Sequence, residues 1–293
     1  MDSSMDLKSM TLEELTDCVM ELGEKKFRAK QIYGWLHQKL VRSPEEMKNV
    51  PAKCIEKLLK EHPFYGVEEV EHYESKIDGT QKFLFSLHDG NMVESVLMKY
   101  KHGNSVCISS QAGCRMGCRF CASTLLGLSR NLYPSEMLDQ IYAIQKATGE
   151  RVSHLVVMGT GEPFDNFESL CRMIELLCSP DGLNISHRNI TVSTCGIVPK
   201  IYEFADRNPQ VTLAISLHAS DDETRKKLLP IANKYTIEEV LDACRYYFKQ
   251  TKRRITFEYS LVGGVNDTDE DVRRLADLIH GMNCHGLTGI RFT

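Results

Sequence analysis

From residue 105 onward, short apolar runs alternate with amphipathic stretches, and few folds accommodate that alternation. Ser105-Val106-Cys107-Ile108-Ser109, Leu155-Val156-Val157-Met158, Ile190-Thr191-Val192-Ser193, Thr212-Leu213-Ala214-Ile215-Ser216 and the segment Arg254 to Leu261 read as strands. Between and after them, Ser135 to Thr148, Phe167 to Leu177, Ile201 to Ala205, Ile237 to Phe248 and Asp269 to His280 carry apolar residues at helical spacing. Strands that are apolar along almost their whole length, alternating with helices, predict an α/β protein with a parallel sheet covered by helices. Ligands of such sheets gather at the C-terminal strand ends, so the residues that follow each strand are the candidates for a site.

The first of those strand ends leads into Cys114-Arg115-Met116-Gly117-Cys118-Arg119-Phe120-Cys121, a CxxxCxxC pattern. Thiolates are soft ligands that suit iron–sulfur clusters, zinc and copper(I). Three thiolates are one short of the four that usually close a four-iron cluster, which leaves one iron open to a further ligand. A structural zinc site wants four N or S donors, and no second pair stands at such spacing; His102 and His154 are isolated. A packed cluster of buried cysteines is the third possibility. The other strand ends are polar as well. Gly159-Thr160-Gly161-Glu162-Pro163 offers close backbone approach and a carboxylate that can accept from an ammonium group. Ser193-Thr194-Cys195-Gly196 offers hydroxyls suited to a ribose or a carboxylate, and Ser216-Leu217-His218 ends the next strand.

The first 104 residues read differently. Thr11, with Glu14 three residues on, marks a capped helix through Leu12, Leu15, Val19 and Leu22. Further helices run through Phe27 to Leu40 and through Ile55 to Leu59. Lys25, Lys26, Arg28 and Lys30 form a basic edge there. Period-two alternation then takes over: Lys82 to Leu87, the turn His88-Asp89-Gly90-Asn91, and Met92 to Met98 predict a β-hairpin. The expected organisation is a helical accessory domain (1–65), a hairpin extension (66–104), the α/β core (105–285) and an atypical tail (286–293).

Composition narrows the classes. A net charge of -4 argues against a protein that is basic all over, though not against local basic patches. No apolar run approaches the roughly 20 residues of a membrane helix, and the acidic start Met1-Asp2-Ser3-Ser4-Met5-Asp6 is unlike a signal peptide. Eleven cysteines without a secretion signal imply a reducing compartment and metal or redox chemistry.

Taken together, several runs resemble the RlmN/Cfr family of radical S-adenosyl-L-methionine (SAM) RNA methyltransferases. They are His102-Gly103-Asn104, Val106 to Gly113, Cys121-Ala122-Ser123-Thr124, Met158 to Pro163, Ser193 to Pro199, Ser216 to Ala219 and Gly264-Val265-Asn266-Asp267. The contexts Gly196-Ile197-Val198-Pro199 and Asn266-Asp267 are more similar to RlmN. The resemblance implies a partial (βα) barrel of the radical SAM type and methylation of carbon 2 of adenosine in 23S rRNA and tRNA. A Cfr-like carbon-8 activity and a catalytically inactive RNA-binding remnant are the alternatives. It implies that Cys114, Cys118 and Cys121 ligate a 4Fe-4S cluster. It also implies that Gly161, Glu162, Ser193, Ser216, Leu217 and His218 bind SAM. Glu94 matches the family's proton acceptor, and Cys107 its resolving thiol, which forms a transient disulfide bond with a methyl-carrier cysteine. A radical route makes chemical sense because carbon 2 of adenine is not nucleophilic. The target base must leave its stack, which suits RNA loops, and Lys101, Arg115, Arg119 and Arg130 are candidate phosphate contacts. A reductant such as flavodoxin, a monomeric state, a cytoplasmic location and no membrane complete the expectation. In one place the chain departs from the family pattern: after Cys284-His285 comes Gly286 to Thr293. The last barrel strand, its cofactor-contacting Asn and the methyl carrier are therefore expected to be missing, so that the polypeptide holds a cluster yet does not methylate RNA.

Overall fold

The computed structural model describes residues 5–288. Three helices come first, α1 (Leu12–Glu21), α2 (Phe27–His37) and α3 (Ala52–Glu61), then four strands, β1 (Glu68–Glu74), β2 (Gln81–Ser86), β3 (Met92–Tyr100) and β4 (Gly103–Ile108). Two short strands, β5 (Gln111–Gly113) and β6 (Leu128–Asn131), bracket the cysteine loop. The order continues with α4 (Pro134–Thr148), β7 (Val152–Val157), α5 (Phe167–Cys178), β8 (Ile190–Thr194), α6 (Val198–Arg207), β9 (Thr212–Ser216) and α7 (Asp222–Leu228). It closes with α8 (Ile237–Thr251), β10 (Ile255–Tyr259), α9 (Asp269–Ile279) and β11 (Cys284–Thr288). Two compact units result, one from the chain up to residue 108 with 132–154 and 168–186, the other from 109–131, 155–167 and 187 onward. Among the described residues no helix is long and apolar enough to cross a membrane.

In the first unit α1 opens with the capping box its sequence announces. Thr11 N–H donates to Glu14 Oε2 (2.7 Å) and Glu14 N–H to Thr11 Oγ1 (3.2 Å). Leu15 and Val19 are completely buried on its inner face. Arg172 of α5 grips the same Glu14 carboxylate through two nitrogens (2.7 and 3.1 Å). Strands β1 to β4 pair antiparallel in sequence order. In the hairpin Phe83, Phe85, Val93 and Leu97 point into the core while Lys82 and Glu94 point to solvent. Strand β1 has no such alternation: all seven side chains are exposed, Glu68, Glu69, Glu71 and Glu74 among them. Backbone pairing with β2 makes it a strand, helped by His72, which meets Gln81 Oε1 (3.0 Å) and stacks on Phe83.

Helix α4 is buried along most of its length and carries polar groups inward. Asp139 binds the buried Lys8 ammonium (2.6 Å), Gln140 accepts from Ser95 (2.7 Å), and the Tyr142 hydroxyl meets His37 Nδ1 (2.8 Å). His37 is fully buried, and among the described residues its Nε2 has no hydrogen-bond partner. Burial, and secondarily the charge of Lys8, lower its pKa from 6.5 to about 3. Unfolded, this imidazole takes up a proton near pH 6.5; folded, it stays neutral down to about 3. Stability is therefore lost as pH falls through that window. Urea unfolding between about pH 6.5 and 4.5 should give a stability slope that His37→Gln flattens by up to ~1.4 kcal/mol per pH unit. Equal slopes in the two proteins would remove His37 as the acid-sensitive group.

Strands β7 to β11 lie side by side in sequence order, β7 entering the second unit at Leu155, and every pair is parallel. Val157, Ile190, Val192, Leu213, Ile215, Ile255 and Phe257 fill the sheet's interior, as near-continuous apolar strands require. The α/β fold with a parallel sheet, expected from the β–α rhythm, is present. One expectation is corrected. The last strand is not missing, because Cys284–Thr288 pairs parallel with β10 from Ile255↔Cys284 to Tyr259↔Thr288. A ladder is made by backbone groups, so a segment interrupted by Gly286 can join it without an apolar signature. The remaining residues of the expected tail, 289–293, lie outside the described ones.

Candidate functional site

The cysteine loop is pinned at both ends. Cys114 N–H donates to Gly127 O (3.0 Å), while β5 pairs with β6 beside it. Inside the loop Cys121 N–H donates to Cys118 O (3.1 Å), and Thr124 Oγ1 donates to the carbonyls of Cys118 (3.2 Å) and Cys121 (2.9 Å). Arg119 N–H reaches Leu228 O (2.9 Å), and Met116, Cys118 and Phe120 pack on Cys195, Leu228 and Leu229. This winding brings Cys114, Cys118 and Cys121 to one cavity of about 190 Å³. Burial raises the Cys114 pKa. Cys118 is pushed up to about 12 by burial first, then by the neighbouring thiols and Glu162.

The donor set fits a cluster that needs three thiolates. The thiols are near enough to oppose one another's ionisation, a cost that a multiply charged metal centre removes. A fourth cysteine, Cys195, lines the same cavity, but burial and the adjacent Glu162 carboxylate, to which it is hydrogen-bonded, push its pKa well up and keep it a thiol. Among the described residues no three His, Cys, Asp or Glu side chains converge on a single-ion position, as a structural zinc site would need.

The cavity's other wall comes from the strand ends, and all its lining residues belong to the second unit. Gly161 adopts φ +110°, and a Cβ there would lie 2.6 Å from Gln111 Cβ, so the position excludes a side chain. Glu162 is buried with its carboxylate already oriented: Oε1 accepts from Phe164 N–H (2.9 Å) and Oε2 from Cys195 N–H (2.8 Å). It thus joins the β7 loop to the end of β8, and it accepts from the Thr194 and Cys195 side chains as well. Burial raises its pKa against those four bonds. Ser193 and Ser216 line the cavity; Leu217 is buried outside its wall. His218 also lines it, with a left-handed backbone (φ 54°). Ser260 N–H donates to His218 Nδ1 (3.0 Å), which places the ring proton on Nε2. Burial, then Arg225, lowers the His218 pKa to about 4, so the imidazole is neutral.

Three site residues escaped the sequence reading. Asn266 Nδ2 donates to His218 O (2.7 Å) and Ser260 O (2.8 Å). Arg225, fully buried, donates to Cys195 O (2.7 Å) and Leu217 O (3.2 Å), tying the ends of β8 and β9 together. Glu258 of β10 accepts from both Ser193 and Ser216. Glu258 could have been suspected only from a charge standing amid apolar neighbours; Arg225, in the charged run Asp221 to Lys227, carries no such signal. Of the expected residues, Glu94 and Cys107 belong to the first unit and do not line this cavity. Glu94 is exposed on β3 and paired with Lys82 (2.5 Å); Cys107 lies on β4 opposite Val96. The expected disulfide is not present, since none joins any of the eleven cysteines. Arg115, a candidate phosphate contact, is held by Asp165 through two nitrogens (2.9 and 2.5 Å).

Comparison with known proteins agrees with this geometry. Residues 108–279 match the model of the Radical SAM superfamily, and residues 5–62 that of the ribosomal RNA large subunit methyltransferase N-terminal domain. The chain is 62% identical to a Lachnospira eligens protein named "Probable dual-specificity RNA methyltransferase RlmN", over 96% of this chain and 80% of that protein. A Lachnoclostridium phytofermentans protein of the same name is 59% identical over 96% of this chain and 79% of its own length. The crystal structure of a radical SAM methyltransferase from Sphaerobacter thermophilus superposes with a TM-score of 0.91 at 40% identity, covering 97% of this chain and 84% of that one.

Proposed function

We propose, from the premise that the chain belongs to the RlmN family of radical SAM RNA methyltransferases, that its reaction is methylation of carbon 2 of adenosine in 23S rRNA and in tRNA, by way of a methyl-carrier cysteine whose motif none of these 293 residues matches. The family's cofactors are a 4Fe-4S cluster and SAM. Bound together, they supply the one-electron chemistry that a non-nucleophilic ring carbon demands. The observation that carries the reading is the meeting of three thiols and four polar strand ends on one cavity.

In this reading Cys114, Cys118 and Cys121 hold the cluster. Gly161, Glu162, Ser193, Ser216 and His218 surround SAM, with Leu217 buried behind the wall: the glycine admits close backbone approach, and Glu162 receives the ammonium group. The neutral His218 adds no positive charge beside a sulfonium. Glu94 takes the ring proton and Cys107 resolves the methyl-carrying thiol; the family resemblance supports both roles. RNA in its unstacked form, a flavodoxin-type reductant, a monomeric state and a cytoplasmic location belong to the same proposal.

The test is expression of the protein from its own full gene in a bacterium deleted for its carbon-2 methyltransferase. Digested 23S rRNA and tRNA should regain 2-methyladenosine by mass spectrometry. 8-Methyladenosine instead would assign the Cfr-type reaction. Neither product, with RNA binding intact, would leave the inactive remnant.

A further inference from the structure

Strand β10 is buried at Ile255, Phe257 and Tyr259, so Glu258 projects from the opposite side. It stands in register with Ser216 of β9, and Ser193 of β8 is in register with Ala214, two residues before Ser216. The three side chains therefore share one sheet face, and all three line the cavity. Ser193 Oγ donates to Glu258 Oε2 (2.7 Å), and Ser216 Oγ donates to the same oxygen (3.1 Å).

A hydroxyl has one proton. Both protons are used on Glu258, so the 3.5 Å separation of the two serine oxygens is not a hydrogen bond between them. Toward any other group each serine is left with lone pairs alone. Without the carboxylate, either hydroxyl could turn and donate, and the site would take an acceptor such as a carboxylate or phosphate as readily as a donor. With it, an incoming acceptor would meet only lone pairs and a negative charge.

We infer that Glu258 is a positioning residue that fixes the hydrogen-bond polarity of the cavity floor. By taking the protons of Ser193 and Ser216 it makes the floor an acceptor surface that selects N–H and O–H groups of the ligand. The inference rests on the reading above, in which that ligand is SAM. SAM offers such donors in two places, the ribose hydroxyls and the α-ammonium group, and the floor's chemistry serves either.

Equilibrium binding to the cluster-loaded protein tests it. The probes are SAM, its analogue without the 2′ and 3′ hydroxyls, and its analogue without the α-amino group. Glu258→Gln keeps the shape but removes the charge, and because both serines meet the one atom at Oε2, an amide nitrogen there frees both hydroxyls to donate into the cavity. It should weaken SAM roughly tenfold with iron and sulfide content unchanged. The wild-type penalty for removing the selected donor, about tenfold, should shrink to about twofold or less in Glu258→Gln. Ser193→Ala should weaken SAM too, and the double variant should be no worse than the worse single, since the two act as one unit. A merely structural glutamate would move neither the analogue penalty nor the additivity. Whichever analogue shows the shrinkage identifies the group held. If neither does, or if the single effects multiply, the inference is overturned while the functional reading stands. If the loaded wild-type protein binds no SAM, both fall together.

Discussion

Cys118→Ala should empty the protein of its cluster: iron and acid-labile sulfide fall from about four each per chain to near zero. SAM cleavage and RNA methylation should fall with it by about three orders of magnitude or more. Cys118 sits between the other two thiols, and its carbonyl is held by Cys121 N–H and Thr124 Oγ1. With its pKa pushed up to about 12, the group is a thiol until metal charge reaches it. Alanine is small enough to pack where Cys118 packs, against Leu228 and Leu229, so the cluster-free forms of variant and wild type should unfold within a few degrees of each other. Cys195→Ala is the contrast. That thiol shares the cavity but donates to Glu162, so its removal should leave iron content intact. Full iron and sulfide in Cys118→Ala would sink the ligand assignment.

Gly161→Ala should cost the site its cofactor affinity, by about a hundredfold or more, and the fold roughly 3 kcal/mol. The new Cβ would lie 2.6 Å from Gln111 Cβ, 2.8 Å from its Cγ and 2.8 Å from its backbone nitrogen, on a backbone at φ +110°. Gln111 cannot step aside cheaply. Its Oε1 accepts from Glu162 N–H (2.8 Å), and its Nε2 donates to Asn131 Oδ1 (2.8 Å) and Asp165 Oδ2 (3.0 Å). The damage therefore reaches Glu162 and the aspartate that holds Arg115. Gly264→Ala isolates the steric part: that glycine also has a positive φ (+71°), but nothing lies within 4 Å of its missing Cβ. It should cost about 1 kcal/mol and no SAM affinity. SAM binding and thermal unfolding of the two variants, side by side, decide the matter; equal losses would place the whole effect in backbone strain.

Much of the second unit could be read before any coordinates, because its information is local. Strand Thr212–Ser216 is bounded as its apolar run indicates, and the cysteine spacing needs no third dimension. The capping box at Thr11 is equally local. What escaped depends on partners remote in sequence. Glu258 acquires its meaning from Ser193 and Ser216, on two other strands, and Arg225 from the carbonyls it ties together. Strand β11 and helix α7 were missed for a different reason. One is made by backbone pairing across a glycine, the other is seven residues of mostly charged side chains. Glu162 was found in the right place with its carboxylate already engaged by two backbone amides, a detail that composition does not encode.

Strand β1 has a consequence for how the protein behaves in company. Among the described residues it ends its sheet, so one row of its backbone N–H and C=O groups has no neighbouring strand there, and such rows are where chains add to one another. Its four glutamates in seven exposed residues mean that a second copy approaching the edge would bring carboxylate against carboxylate. The strand that contributes least to packing is thus a guard against runaway sheet growth. Its protection weakens in acid and in high salt, where those charges are neutralised or screened.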